Sequence, residues 1–235
     1  MKTLALAAAL ALLTTGCNIN CIKGSGPVEE RTLVVASFTG IEVGGSTRVT
    51  IEKGAEQKIT VTAQPELIDL LNTEVKGDVW DIRTSQCWIS DAEFTVHIVT
   101  PSLLNSIEVH GSSDVLSDDV FGTGHTDLST GGSGSITISG INEKELELGI
   151  SGSGTITVRG TCSELDASLS GSGDLHGKEL TANEADLKVS GSGSATITAI
   201  SKLNAKVSGS GEVRYAGKPD VRSSVSGSGS VTPVQ

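Results

Sequence analysis

A Gly-Ser-Gly triplet returns about every twenty residues through the second half of the chain, and nothing else in the sequence restricts the fold so strongly. Its copies are Gly132/Gly134, Gly152/Gly154, Gly171/Gly173, Gly191/Gly193, Gly209/Gly211 and Gly227/Gly229, preceded by a degenerate one, Gly111-Ser112-Ser113. The first glycines are separated by 21, 20, 19, 20, 18 and 18 residues. A period of this length marks a small unit that cannot bury its apolar face alone and must stack on its neighbours.

Aligned on the first glycine, the copies carry aliphatic side chains in fixed register. Two residues before it stand Val109, Thr130, Ile150, Leu169, Val189, Val207 and Val225, and four before it Ile107, Leu128, Leu148, Ala167, Leu187, Ala205 and Ser223. Six before it, in the last five copies, stand Leu146, Leu165, Ala185, Leu203 and Val221. This period of two is that of a strand with one buried face. Four residues after the glycine, Val115, Ile136, Ile156, Leu175, Ala195, Val213 and Val231 begin a second strand. A flexible Gly/Ser linker has no reason to keep such offsets. The pattern therefore predicts an all-β, parallel β-solenoid of about seven coils of 18–21 residues, with the glycines above as its structural corners. Glycine there allows φ > 0 and lets successive corners stack closely, and the serines between can hydrogen-bond nearby backbone. Aliphatic ladders replace an aromatic core, which suits a chain with six aromatics in 235 residues.

Residues 24–104 differ in texture from the repeats of 105–235. They hold Phe38, Trp80, Trp88 and Phe94, with strand-like runs at 48–52, 58–63, 79–83 and 94–99 and a helical turn within 65–72. They are expected to form an irregular, β-rich cap on the open solenoid end, within one domain spanning 24–235.

The first residues read as an export signal: Lys2, an apolar run from Leu4 to Leu13, then Gly16 before Cys17. The run is too short to cross a bilayer as a helix. Residues 1–16 are expected to be a lipoprotein signal peptide and 17–23 a tether, because Gly16-Cys17 resembles the lipobox, whose cysteine is acylated. Thr14 stands where that box usually has leucine. Anchorage would then be to the membrane through lipid on Cys17. Asn18 in place of Asp favours delivery to the outer membrane, facing periplasm or exterior. In such a compartment disulfides persist. Cys21, Cys87 and Cys162 allow one disulfide and one thiol, or three buried thiols, and their spacing fits no zinc motif. The net charge of −11 excludes nucleic acid as an electrostatic partner.

Ile22-Lys23-Gly24-Ser25-Gly26, Phe38-Thr39-Gly40-Ile41-Glu42-Val43, Leu67 to Leu71 with Glu74-Val75-Lys76-Gly77-Asp78, and the serial Ser-Gly-Ser-Gly copies together resemble the head-GIN domain family of auto-transporter adhesins. The resemblance runs from about residue 22 to 230. It implies a β-solenoid-like surface lipoprotein and carries over no functional residue.

Other constellations are weaker. His110, Asp114, Asp118, Asp119, His125 and Asp127 form the densest polar cluster and offer metal-ligand types, though without EF-hand spacing. Glu145 and Glu147 alternate with Leu146 and Leu148 and belong on a solvated strand face. Thr137, Thr157, His176, Thr196, Arg214 and Thr232 fall five residues after successive corners, on an exposed face. No catalytic residue, cofactor or metal site is assigned. The sequence reading is a noncatalytic envelope binding or structural module with an envelope glycan or surface protein as partner. The alternative is a carbohydrate-active enzyme on the same scaffold.

Overall fold

The alternation of aliphatic and polar residues folds into two parallel sheets whose apolar faces meet. The computed structural model describes residues 21–90, 93–118 and 121–234. It is a nearly all-β parallel β-solenoid of about six turns. The seven corner glycines, Gly111 to Gly227, bound six intervals in the repeats, close to the expected seven coils.

Each turn has a front strand, a tight Ser/Gly corner, a back strand and a bulged far side. The front sheet stacks Gly40–Val43, Ser106–Val109 and His125–Thr130, then the second halves of Ser135–Gly152, Thr155–Gly171, Asp174–Gly191 and Ser194–Gly209, then Asp220–Gly227. The back sheet stacks Thr47–Lys53 and Asp114–Asp118, the first halves of the same long strands, then Glu212–Ala216 and Ser230–Pro233. The register between long strands shifts at the far side, between Ile138 and Ile141 and again between Thr157 and Gly160. An extra residue at a bulge bends the strand there and turns the chain from back sheet to front.

The inward ladders are those of the sequence pattern. Leu148, Ala167, Leu187 and Ala205 pair in register, each buried, and Leu146, Leu165, Ala185 and Leu203 do the same one step along. Where one ladder has alanine the other has leucine in the coils of Ala167, Ala185 and Ala205. The summed volume per coil thus stays nearly constant, as close packing demands. The last coil is open: among the described residues no coil covers it, and Val225 there is 43% exposed.

At the corners, Gly191 has φ +126° and a Cβ there would run into the carbonyl oxygen of Gly171. That same carbonyl accepts the backbone N–H of Ser192 at 2.8 Å, so the clash and the stacking bond share one atom. Gly152, Gly171, Gly209 and Gly227 repeat this geometry, each at positive φ against the glycine one coil back.

The second glycine of each corner serves close stacking without using the left-handed region. Gly134, Gly154, Gly173, Gly193, Gly211 and Gly229 take no positive φ. What excludes a side chain there is contact. A Cβ on each would press on the carbonyl oxygen of the equivalent residue one coil back, which is Ser113, Gly134, Gly154, Gly173, Gly193 and Gly211 in turn. At Gly154 it would also meet the Thr130 side chain, at Gly211 that of Val189 and at Gly229 that of Val207. The physical reason is position: the first glycine reverses the chain, whereas the second already enters the back strand and points its missing side chain into the stack. Gly134 to Gly211 are buried, and Gly229, in the open last coil, is half-buried. Close approach thus excludes a side chain at both glycines of a corner, and from Gly152 onward the first is required for its backbone conformation as well. Gly132 departs from the other first glycines in having no positive φ, though Gly111 crowds it. The serine between them contributes its amide to the corner bond, and its side chain is exposed.

The N-terminal third is less irregular than expected. Gly40–Val43 with Thr47–Lys53, and Val79–Ile82 with Phe94–Thr100, are solenoid coils in parallel register. Their spatial order is not their chain order. The coil of residues 40–53 lies between that of 79–100 and that of 106–118. The true cap is smaller: Lys58–Ala63 runs antiparallel along Phe94–Thr100, Glu29–Leu33 antiparallel along Lys58–Ala63, and Val75–Lys76 antiparallel along Val79–Ile82. Antiparallel strands close the edge that a parallel coil would leave open. The helical turn is Pro65–Ile68, with Leu67 and Ile68 buried beneath it. Trp80 packs at 5.5 Å from Phe38 and donates its indole N–H to the Asn72 carbonyl at 3.0 Å.

Cys21 and Cys87 form a disulfide, and Cys162 is a buried free thiol. Burial pushes the Cys162 thiol up to about 11. Cys17 and the signal segment 1–16 lie outside the described residues.

Candidate functional site

The Ser/Gly corners stack into a column along one edge of the solenoid, and at its N-terminal end the column is broken. The coil of 40–53 turns at Gly44-Gly45-Ser46, and the Gly45 carbonyl accepts the amide of Ser112 from the next corner at 2.8 Å. The outermost coil makes a long excursion instead, from Arg83 to Glu93, between its front strand Val79–Ile82 and its back strand Phe94–Thr100. Because this excursion stands away from the column, a cleft of about 660 Å³ opens beneath it. Thr84, Cys87, Trp88, Ser90, Glu93 and Phe94 line it from above, and Gly45 to Arg48, Ser112 and Asp114 from below.

The excursion is fastened at several points. The Cys21–Cys87 disulfide ties it to the N-terminal segment, and Ile22–Lys23 pairs in parallel with Trp88–Ile89. Ser85 donates its amide to the Leu70 carbonyl at 2.9 Å, and Ser90 its hydroxyl to Gln64 Oε1 at 2.7 Å. Trp88 packs with its ring centroid 5.6 Å from that of Phe94. On the opposite wall Arg48 Nη1 lies 3.0 Å from Glu93 and Nη2 3.9 Å from Asp114. Asp114 in turn accepts the Ser135 hydroxyl at 2.5 Å. On the other side of the same excursion Arg83 pairs with Asp81 and Glu42. The hydrogen-bonded Asp81 carboxylate, aided by the charge of Glu42, raises its pKa above the ordinary guanidinium value.

The polar cluster singled out in the sequence is dispersed by the fold. His110 sits at the column with Nε2 3.3 Å from Glu42 and 3.2 Å from Glu108, whereas Asp114 belongs to the cleft. Asp118 ends a back strand, and His125 and Asp127 begin a front strand. Asp119 lies outside the described residues. Instead, His125 meets Glu145, at 3.2 Å, and Glu147, the three offering ligand atoms within 4.8 Å of one another. They head two adjacent outward ladders, Glu145–Glu164–Glu184–Lys202–Asp220 and Asp127–Glu147–Asp166–Asp186–Asn204–Arg222. A third ladder reads Ser129–Gly149–Ser168–Lys188–Lys206. The front face is therefore acidic toward the cap and basic toward the C-terminal coils. On the back face Thr137, Thr157, His176, Thr196, Arg214 and Thr232 form one rung-by-rung row. Glu143, an acidic residue of the repeat connections, is buried, and its carboxylate accepts the amides of Gly122 and Gly124, each at 2.6 Å.

Sequence reasoning did not single out Arg48, Trp88 or Glu93. The signal that could have found them is the interval between the strands at 79–82 and 94–100, where the Ser/Gly corner is replaced by a longer segment carrying one of the two tryptophans.

With this geometry in hand, the chain can be set beside known proteins. The family model described as "Putative auto-transporter adhesin, head GIN domain" matches residues 37–219. The chain belongs to this family. No curated protein matches it. Among solved structures it is similar to a putative adhesin from Bacteroides fragilis, with a TM-score of 0.84 at 22% identity over 91% of this chain and 100% of that one. It is also similar to two Parabacteroides distasonis proteins. One is named a putative lipid binding protein, with a TM-score of 0.74 at 23% identity over 91% and 99% of the two chains. The other is a putative adhesin, with a TM-score of 0.72 at 26% identity over 92% and 100%. These likenesses establish the head-GIN chain's fold.

Proposed function

We propose that this head-GIN protein is a noncatalytic, adhesin-like binding module of the bacterial cell envelope, exported by residues 1–16 and held at the outer membrane by lipid on Cys17. The observation that carries the reading is the family itself, whose model covers residues 37–219, from the coil of 40–53 past the corner at Gly209. Rigid ladders of side chains along two sheet faces, with a cleft at the capped end, suit recognition by a preformed surface. Cys21 lies four residues after Cys17 and is fixed to the body by its disulfide, so an acyl anchor would hold the capped end within about 14 Å of the bilayer. The partner is an envelope glycan or a surface protein.

Two measurements test this. In a diderm host, wild-type protein is expected in the membrane fraction with incorporated lipid label, and Cys17→Ala as a soluble or precursor form; unchanged fractionation without label overturns the anchor. Cells carrying the protein are expected to attach to glycan-coated or protein-coated surfaces better than isogenic cells lacking it, with no reducing ends released. Loss of that difference overturns the module, and release of reducing ends replaces it with the glycan-cleaving alternative.

A further inference from the structure

We propose that the cleft beneath residues 84–90 is a saccharide site that takes one or two neutral sugar rings against Trp88; this deepens the binding-module reading and rests on it. The chain has two tryptophans, and they are treated differently. Trp80 is wholly buried with its N–H bonded, whereas Trp88 packs on Phe94 and still reaches the cleft. Phe38 and Phe94 are buried as well, so this end of the solenoid has the means to cover its aromatics and leaves Trp88 at a concave surface.

The polar groups around the ring narrow the ligand class. Arg48 on the lower wall is bracketed by Glu93 from above and Asp114 beside it, so donors and acceptors alternate around the cleft. An anion entering there would face two carboxylates against one guanidinium. A cation would meet Arg48. A neutral ligand whose adjacent hydroxyls both donate and accept matches the alternation without burying unpaired charge. A sugar ring adds a C–H face that packs on the indole. The volume, about 660 Å³, falls within the range of ~300–1,000 Å³ usual for small-ligand pockets. Because the disulfide and the bonds of Ser85 and Ser90 hold the upper wall, little ordering accompanies binding.

The test titrates purified protein with maltose, cellobiose, lactose and N,N′-diacetylchitobiose and follows tryptophan emission, for which buried Trp80 is a constant background. At least one disaccharide is expected to give a saturable blue shift. The shift should vanish in Trp88→Phe, and calorimetric affinity should fall about tenfold or more in both Trp88→Phe and Arg48→Gln. Lys218→Gln, exposed between the strands Glu212–Ala216 and Asp220–Gly227 and outside both the cleft and the ladders, should bind as wild type. Trp88→Phe keeps an aromatic against Phe94; should it nonetheless melt early, Arg48→Gln decides alone. Equal affinity in wild type and both cleft variants overturns the site and leaves the module standing, with recognition on a ladder face. Attachment of cells without binding of any of the four sugars overturns the saccharide class alone. Absence of attachment as well removes the module reading too.

Discussion

The repeats and the outermost N-terminal coil turn the same edge of the solenoid in two ways. From Gly132 onward each turn is a Ser/Gly corner in which the backbone of one coil lies directly on the backbone of the last, with amides and carbonyls continuing the ladder around the bend. In the outermost coil, residues 83–90 swing clear of the column, and a disulfide and scattered side-chain bonds replace the stacking. Stacked corners pair their backbone amides with carbonyls of the coil before. The excursion gives up that regularity, and the cleft is the result. Glycine is thus a packing requirement where corner lies on corner, a merely conformational one at Gly45 in the coil beside the excursion, and absent from residues 83–93.

The largest expected effect tests that contrast directly. Gly191→Val places a branched side chain at φ +126° and against the Gly171 carbonyl, and should lower stability by more than about 3 kcal/mol, with proteolysis opening around residues 171–211. Gly45→Ala, at φ +87° with open space around it, should lose only the left-handed penalty of about 1–2 kcal/mol. Denaturant melts giving equal losses for the two would break the comparison. Ser210→Thr, on an exposed corner serine, should change almost nothing.

Next in size is Leu187→Ala. Its ladder neighbours are already Ala167 and Ala205, so three small side chains would stand in a row with little to collapse into the space. A loss in the upper part of about 2–5 kcal/mol is expected by equilibrium unfolding. Val225→Ala, in the open last coil, should lose well under half as much.

Removing the Cys21–Cys87 disulfide by paired serine substitution should cost about 2–4 kcal/mol, and the damage should stay local. Hydrogen exchange is expected to rise in residues 21–35 and 83–90 while the repeats keep their protection, because each coil touches mainly its neighbours. Exchange spreading evenly through the solenoid would show that the cap is not separable.

The smallest effect concerns Cys162. Its folded pKa of about 11 lies above the ordinary thiol value of 9.0, so the unfolded chain releases this proton first as pH rises. The contribution of the neutral buried thiol is full below pH 9 and disappears between about 9 and 11. Cys162→Ala should flatten that part of the alkaline stability curve, and the native thiol should resist alkylation at neutral pH.

The sequence by itself determined the fold of the repeats. Identical offsets from each glycine index the register, and period two assigns Val189 and Leu187 inward and Lys188 outward without any need for coordinates. The strands at 58–63 and 94–100 were legible for the same reason of local pattern. Only the tertiary structure decided the different duties of the two corner glycines, the order of the coils at the cap, the pairing of Cys21 with Cys87, the scattering of His110, Asp114 and His125, and the meeting of Trp88 with Arg48. Apart from the corners, these are contacts between unlike segments tens of residues apart, with no period to align them. Which residues meet there depends on how the chain doubles back at 40–53, and that path follows from burying Phe38, Trp80 and Phe94 together rather than from any signal along the chain.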